Sequence, residues 1–199
     1  METVLVSTFY SFQPLVAAVH AYSPARIILI IDKSASDKSE VKAGLEQAKE
    51  VFGKVAPITV RQVDGSDLYD TASTIVDLLD TKGKDERIIV NISGGWKLAA
   101  QGVLYGCYAR HEMVAQLVCN DLKEDEKVVE LPKLCYGIGK KKLELLSLIE
   151  KRKGKPISEL ADNLEKTRGM LYQHLKELKA LGYVDENFEI TLAGRLALL

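Results

Sequence analysis

Short runs of β-branched and aliphatic residues recur along the first half of the chain, and each is followed by a stretch with helical spacing. The four clearest runs are residues 2–8, 26–32, 58–63 and 87–92. The run Arg26-Ile-Ile-Leu-Ile-Ile-Asp32 is almost continuously apolar, which is typical of a strand buried on both faces of a sheet. Strands that alternate with helices predict an open α/β fold with a mostly parallel sheet and right-handed crossovers.

The helical stretches between these runs carry boundary signals of their own. The spacing predicts helices over 12–22, 39–52, 67–79 and 96–110, and two further strands over 113–119 and 127–131. Ser11 is a candidate cap for the first of these helices, and Ser66 is the predicted N-cap of the third. The part of the chain that contains these strands and helices is long enough to bury a core of its own.

The polar ends of the strands predict where a ligand would bind. In parallel sheets of this kind, ligands occupy the carboxyl ends of the strands, near the point where the strand order reverses. The loops on that rim begin at Thr8, Asp32, Asp64 and Ile92. The last of them lies within Asn91-Ile-Ser-Gly-Gly-Trp-Lys97, which joins a buried strand to the start of a helix.

The glycines of this loop allow two interpretations. As an anion site, Gly94 and Gly95 let a ligand approach free N–H groups at a helix N-terminus. Lys97 would then add a positive charge, and Trp96 a face on which a base can stack. As an ordinary turn, the glycines serve backbone geometry alone and Trp96 packs at an edge. The loop is not a Walker A motif, and GxGxxG does not follow the first strand, so ATP hydrolysis and dinucleotide binding have no support.

Composition narrows the class of protein. The sequence has neither a signal-peptide pattern nor an apolar run of about 18 residues, so we expect a cytoplasmic protein without a membrane span. Cys107, Cys119 and Cys135 are far apart and form no CxxC pair, which favours reduced thiols over disulfides. The histidines are equally scattered, and no metal site is predicted.

The pattern changes after residue 139. Residues 1–139 contain 15 Lys and Arg against 19 Asp and Glu, whereas residues 140–199 contain 12 against 9. Spacing in this basic tail predicts helices over 140–151, 159–164 (capped by Ser158) and 168–181, a hairpin over 183–190, and a last helix over 191–199. Helix, turn, helix and hairpin form the winged helix-turn-helix arrangement, whose second core helix enters the major groove of DNA.

The helix over 168–181 is predicted to have a buried face and a DNA-binding face. Leu171, Leu175 and Leu178 form the apolar stripe. The DNA-contact candidates open the helix or face outward, and they are Thr167, Arg168, Tyr172, Gln173 and Lys176. The segment ISELADNLEKTRGMLYQHLKELKALGYV resembles the winged-helix family over its whole length. The acidic wing tip, Asp185 and Glu186, would repel phosphate and leaves open a winged helix that binds protein instead.

Arg168 and His174 also have the R-x5-H spacing found in HEPN ribonucleases. A tail of this length is short for a HEPN helical bundle, so the ribonuclease is the weaker alternative.

The combination of a polar loop after the first strand, a Ser-Gly-Gly-x-Lys turn after the fourth and a C-terminal winged helix is specific. It resembles the CARF (CRISPR-associated Rossmann fold) transcription regulators across essentially the whole chain. The resemblance implies a Rossmann-like CARF domain over residues 1–134, a linker over 135–139, and a winged helix-turn-helix domain over 140–199.

The same resemblance implies a homodimer that binds a cyclic oligoadenylate, with cyclic tetraadenylate the first candidate, and double-stranded DNA at a palindromic promoter or CRISPR locus. No other cofactor is expected. The implied ligand residues lie in two loops and are Ser7, Thr8, Phe9, Tyr10, Asn91, Ser93, Gly94, Gly95, Trp96 and Lys97. Trp96 departs from the smaller residue more usual there, which puts the ring size in question.

Two alternatives follow from the same residues. Some CARF proteins cleave their ring ligand, and Ser93, Lys97 and Tyr10 are the residues that could take part, although the sequence shows no clear base and no catalytic residue is assigned. The chain could instead be a transcription factor that senses another anionic metabolite. In the regulator hypothesis, ligand and DNA binding are linked through the connection over 136–139.

Overall fold

The computed structural model describes residues 1–83, 85–121, 127–134, 138–152 and 168–198. The chain divides into two compact units, Met1–Leu131 and Pro132–Leu199. None of the helices in the described ranges is long and apolar enough to cross a membrane.

The first unit is built on a six-stranded sheet in the order β3-β2-β1-β4-β5-β6. The strands are β1 (Glu2–Thr8), β2 (Arg26–Asp32), β3 (Ile58–Val63), β4 (Glu86–Asn91), β5 (Val114–Asp121) and β6 (Lys127–Leu131). The first five are parallel, and β6 runs antiparallel to β5. The predicted Rossmann-like, mostly parallel sheet is therefore confirmed, although β4 begins and ends one residue earlier than expected and β5 extends to Asp121.

Helices cover both faces of this sheet, which explains the nearly continuous apolar runs. They are α1 (Gln13–Tyr22), α2 (Ser39–Phe52), α3 (Leu68–Asp80) and α4 (Lys97–Ala109). Successive strand side chains point to opposite faces. Leu5 accordingly packs in the core beneath α1 and α2, while Val4 and Val6 pack in the core with α3 and α4.

The predicted caps of two helices are wrong. Phe12, rather than Ser11, occupies the N-cap of α1, and its side chain makes no capping hydrogen bond. Asp67, rather than Ser66, caps α3, because its carboxylate accepts hydrogen bonds from the N–H groups of Tyr69 (2.8 Å) and Asp70 (3.1 Å). Ser66 instead donates to Asp64 (2.6 Å).

The second unit contains α5 (Lys140–Lys151), α6 (Arg168–Ala180) and α7 (Leu192–Leu196) in its described residues. Its core confirms the predicted stripe on α6, since Leu171, Leu175 and Leu178 are fully buried. On α5 the buried residues are Leu145, Leu146 and Ile149.

Several predicted features of the second unit differ or lie outside the described residues. The expected hairpin is a single antiparallel bridge between Val184 and Ile190, and the last helix is shorter than predicted. The helix over 159–164 with Ser158, the DNA candidate Thr167, Cys135 and most of the linker lie outside the described residues.

Cys107 lies on α4 inside the first core, 1% exposed. Burial raises the pKa of its thiol to about 12, so the thiol is protonated at pH 8. We expect iodoacetamide to leave Cys107 unmodified in the native protein at pH 8 and to modify it in urea, as measured by peptide mass spectrometry. The half-buried Cys119 is the internal comparison. Equal labelling rates for the two native thiols would contradict the burial of Cys107.

Arg152 connects the end of α5 to residues 188–189, which precede α7, through hydrogen bonds. Arg152 is 8% exposed, and its guanidinium donates to the carbonyl oxygen of Phe188 (3.2 Å) and to the Glu189 carboxylate. We expect Arg152→Met to lower the free energy of unfolding of the second unit by about 1.5–3 kcal/mol, the usual range for hydrogen bonds to charged groups. Urea unfolding followed by circular dichroism measures it. Arg195→Met, which changes an exposed arginine of α7, should stay within about 0.5 kcal/mol of wild type.

Candidate ligand cleft and DNA-facing helix

A cleft of about 700 Å³ opens at the carboxyl ends of the parallel strands in the first unit. Its position coincides with the reversal of strand order, because β1 lies between β2 and β4. The volume is within the usual range for small-molecule sites, roughly 300–1,000 Å³. The lining residues are Tyr10, Ser11, Pro14, Asp32, Ser34, Gly65, Ser66, Ser93, Gly94, Gly95, Trp96, Lys97 and Leu98.

The turn after β4 packs directly on the loop after β1. A Cβ atom on Gly94 would lie 2.5 Å from the carbonyl oxygen of Thr8, so only glycine allows this approach. Gly95 has a φ of 76°, in the left-handed region that favours glycine. The two glycines thus serve the turn geometry, and that geometry brings both predicted loops to one site.

Asn91 organises the loops from beneath. Its amide nitrogen donates to the Ser7 hydroxyl (3.1 Å) and to the Pro14 carbonyl oxygen (3.4 Å). Its amide oxygen accepts from the backbone N–H of Ser93 (3.2 Å) and from the Ser93 hydroxyl. The backbone N–H of Asn120 in turn donates to that hydroxyl (2.7 Å). The strand end and the glycine turn are therefore held in one arrangement.

The structure separates the ten predicted ligand residues into two groups. Those that line the cleft are Tyr10, Ser93, Gly94, Gly95, Trp96 and Lys97. Those that lie beneath it, each at most 3% exposed, are Ser7, Thr8, Phe9 and Asn91. The side chains of the second group are outside the lining because the core and the loop hydrogen bonds already engage them.

Trp96 and Tyr10 form an aromatic edge with a lysine between them. Trp96 is 46% exposed. The Lys38 ammonium lies 4.6 Å from the centre of the Trp96 ring and 5.8 Å from that of Tyr10. Partial burial raises the pKa of the Tyr10 phenol, and the charge of the Glu40 carboxylate and a hydrogen bond to it raise that pKa further. This edge combines stacking surface with positive charge.

The opposite side of the turn is the N-terminus of α4, a helix of 13 residues. Trp96 occupies the N-cap position and makes no side-chain capping bond. Lys97 is the first residue of the helix and is exposed. Helix N-terminal N–H groups together with a nearby ammonium favour an anion.

Of the three residues suspected of catalysis, Ser93 is engaged in the hydrogen bonds that hold the loop. The Ser93 hydroxyl donates to the amide oxygen of Asn91, which takes up no proton at neutral pH and cannot act as a base. Among the described residues, no group of three or more His, Cys, Asp or Glu is placed to hold a metal ion.

Sequence reasoning missed several lining residues on the β2 and β3 side. Asp32 ends β2 and Ser34 follows it, Gly65 and Ser66 follow β3, and Lys38 reaches the aromatic edge from just before α2. The available signal was the position of Asp32 and Asp64 at strand ends on the same rim, but which side chains reach the cleft depends on loop conformation.

In the second unit, α6 presents the predicted outward face. Tyr172, Gln173 and Lys176 are exposed, with Tyr172 at 45%. Gln173 contacts Glu177 through its amide nitrogen (3.3 Å). Arg168 begins the helix, as predicted. Four of the five candidates therefore lie on one helix, and three of them are exposed on it.

Acidic groups close to this face have partners among lysine side chains or backbone N–H groups. Glu186 of the wing accepts from Lys179, and Asp185 accepts from the N–H groups of Asn187 and Glu189 (2.8 Å each). The Glu177 carboxylate contacts Lys142 at 2.9 Å, and this interaction is the main cause of its lowered pKa. The repulsion of phosphate that the sequence suggested is thereby reduced.

Comparisons with known proteins agree with this architecture. Residues 4–119 match the family model described as "HFX_2341_N:-like, N-terminal", and residues 139–186 match "Bacterial regulatory protein, arsR family", a helix-turn-helix model. The second match includes residues 168–174 and favours a helix-turn-helix over the HEPN ribonuclease there. No curated protein sequence matches the chain.

Three solved structures give the scale of the similarity. Enterococcus italicus Csm6 bound to cyclic hexa-2′-fluoro-hexa-dAMP has a TM-score of 0.56 at 11% identity, covering 90% of this chain and 50% of that one. Can2 from Sulfobacillus thermosulfidooxidans in complex with cyclic tetra-adenylate has a TM-score of 0.49 at 16% identity, covering 99% and 63%. Protein VC1899 from Vibrio cholerae has a TM-score of 0.49 at 14% identity, covering 98% and 64%. The chain thus spans half to just under two thirds of the length of these proteins.

The fold and the two family matches together describe a Rossmann-like, CARF-like α/β domain followed by a helix-turn-helix domain, as the resemblance implied. The chain belongs to the HFX_2341_N-like family, whose model matches more than half of it.

Proposed function

We propose that this chain is a CRISPR-associated transcription regulator that binds a cyclic oligoadenylate in the cleft and double-stranded DNA through α6. In this proposal it acts as a cytoplasmic homodimer, and cyclic tetraadenylate is the first candidate ligand. The single observation that carries the proposal is the meeting of the Ser93–Lys97 turn with an exposed aromatic edge, in a chain that also has a helix-turn-helix.

The chemistry of the cleft fits a nucleotide. A phosphate finds free N–H groups at the α4 terminus and the Lys97 ammonium. An adenine finds the exposed face of Trp96, from which it would displace the Lys38 ammonium. Lys38 is then free to approach a phosphate. The Csm6 structure, whose fold this chain shares, holds a cyclic hexanucleotide, which supports a ring ligand here.

A homodimer follows from the symmetry of such a ligand. A ring of identical nucleotides can present equal phosphates to two copies of one site related by a two-fold axis. The same axis would place two α6 helices on a palindromic DNA site. Ligand that favours one dimer geometry then changes DNA affinity by linkage.

Calorimetric titration with cyclic tetraadenylate and cyclic hexaadenylate tests the ligand. We expect Trp96→Ala to lose about 1–3 kcal/mol of stacking, which is roughly 5- to 150-fold weaker binding, and Lys97→Ala to weaken it further. Lys54→Ala, at an exposed lysine of the same unit, is the matched charge control. Light scattering with and without ring measures the oligomeric state.

Three outcomes contradict parts of the proposal. Absence of binding to either ring at micromolar concentration would favour the alternative of another anionic metabolite. Unchanged affinity in the Trp96→Ala, Lys97→Ala double variant would place the ring elsewhere. Linear oligoadenylates in the reaction mixture would favour the ring nuclease.

A further inference from the structure

The cleft contains a carboxylate that no anion-binding role explains. Asp32 ends β2, next to β1 in the sheet, and it contributes to the lining although only 8% of its surface is exposed. Its Oδ1 atom accepts two hydrogen bonds from Ser34, one from the backbone N–H and one from the hydroxyl, each at 2.7 Å. These bonds fix the orientation of the carboxylate.

The other oxygen, Oδ2, is left for a ligand. Within the described ranges, no hydrogen bond and no ion pair involves Oδ2 of Asp32. A Cβ atom on Gly65 would lie 1.9 Å from it, so the absence of a side chain at position 65 keeps this oxygen in place beside the cleft. Because Asp32 lines the cleft, a hydrogen-bond donor on a ligand there can reach this oxygen.

The charge of Asp32 restricts which part of a nucleotide can occupy its side of the cleft. A phosphate is repelled by the carboxylate and attracted by the α4 terminus and Lys97, so the phosphates belong on the turn side. The Asp32 side then receives a neutral donor. In dinucleotide-binding α/β folds, an acidic residue about 20 residues beyond the first loop accepts from ribose hydroxyls, and Asp32 has the corresponding place in the sheet.

We propose that Oδ2 of Asp32 accepts a hydrogen bond from a ribose 2′-hydroxyl of the bound nucleotide, so that the cleft selects ribonucleotide rings over rings without this donor. The inference rests on the proposed function, since it assigns a selectivity to the same cleft. It also divides the cleft into a phosphate side, formed by Ser93–Lys97, and a ribose side, formed by Asp32 with Gly65.

The test compares three rings on four proteins by calorimetric titration. The rings are cyclic tetraadenylate, its 2′-fluoro counterpart, which keeps the sugar but cannot donate, and the inosine counterpart, which lacks the amino group of adenine. The proteins are wild type, Asp32→Asn, Gly65→Ala and Asp37→Asn. The last removes an exposed carboxylate from the same β2–α2 connection and is the matched control.

We expect wild type to bind the ribose ring about 10- to 150-fold more tightly than the 2′-fluoro ring, the range for a hydrogen bond to a charged group. In Asp32→Asn, the amide oxygen can still accept from Ser34, and the amide nitrogen, a donor, points toward the cleft. The ratio of the affinities for the ribose and 2′-fluoro rings should therefore fall close to one. Gly65→Ala displaces the same oxygen without removing its charge and should lower the ratio as well. Asp37→Asn should keep the wild-type ratio. Thermal unfolding confirms that each variant is folded.

The outcomes separate this inference from the proposed function. Equal binding of the ribose and 2′-fluoro rings by wild type overturns the role of Asp32 and leaves ring binding intact. Wild-type affinity that falls with the inosine ring, but not with the 2′-fluoro ring, also overturns the role of Asp32. The donor to Asp32 would then be the adenine amino group. A wild-type protein that binds none of the rings contradicts the proposed function itself, and the assignment of Asp32 falls with it.

Discussion

Replacing Gly94 with alanine is expected to destabilise the first unit by about 1–3 kcal/mol and to abolish ring binding in the cleft. The new Cβ atom would lie 2.5 Å from the carbonyl oxygen and 3.1 Å from the carbonyl carbon of Thr8. Both are backbone atoms at the ends of paired strands, where Ser7 is in register with Asn91, so neither loop can yield at small cost. The Ser93–Lys97 turn must therefore move away from β1, and the cleft that it lines is disrupted.

Urea unfolding and calorimetric titration of cyclic tetraadenylate measure the two effects. Gly83→Ala is the matched control, because a Cβ atom there meets only Glu86 side-chain atoms, at 3.4 Å or more. Gly95→Ala is an intermediate case, in which space exists but the φ of 76° costs about 1–2 kcal/mol for a residue with a Cβ atom. Wild-type stability and ring affinity in Gly94→Ala would show that the loops are not in contact as described.

Replacing Tyr172 and Gln173 together with alanine is expected to remove most sequence discrimination in DNA binding. Both side chains are exposed on α6, and each good base contact contributes about 1–3 kcal/mol, so the pair accounts for about 2–6 kcal/mol of preference. The substitutions leave the buried stripe of Leu171, Leu175 and Leu178 untouched, so the fold should be retained. Fluorescence anisotropy measures affinity for a duplex selected from a random library by wild type and for a scrambled duplex.

Lys176→Ala separates phosphate contact from base recognition. We expect this substitution to weaken binding to both duplexes by the same factor. It should also lower the slope of log affinity against log salt concentration by about 0.9, the value for one released counterion. Lys54→Ala, in the first unit, should leave the slope unchanged. A double Tyr172, Gln173 variant with wild-type preference would move recognition away from α6 and favour the protein-binding winged helix.

Local sequence pattern was sufficient wherever burial follows from periodicity. Each core strand of the first unit was recognisable because helices cover both faces, and the stripe on α6 because i, i+4 and i+7 share one face of a helix. Boundaries were less well predicted. The caps at Ser11 and Ser66 were wrong. Phe12 takes the N-cap of α1 without a side-chain hydrogen bond, whereas the Asp67 carboxylate caps α3 and the Ser66 hydroxyl donates to Asp64.

The sequence predicted only part of the candidate site. The glycine turn could be assigned to the rim because parallel strands bring their carboxyl ends together. The burial of Ser7, Thr8, Phe9 and Asn91 could not be read from residue types, since a polar side chain can line a cleft or hold its loops equally well. Asp32 and Lys38 were missed for the same reason.

The sequence by itself determined the succession of strands and helices along the chain and its two-part organisation, and it predicted the rim on which a ligand would bind. These depend on interactions within a few residues and on general rules for connecting strands. Only the tertiary structure decided which groups meet across that rim: the contact of Gly94 with Thr8, the Lys38 ammonium near Tyr10 and Trp96, and the Asp32 carboxylate, of which only Oδ1 is hydrogen-bonded within the described residues. Such contacts join residues far apart in the chain, and a few tenths of an ångström in a loop decide whether they form.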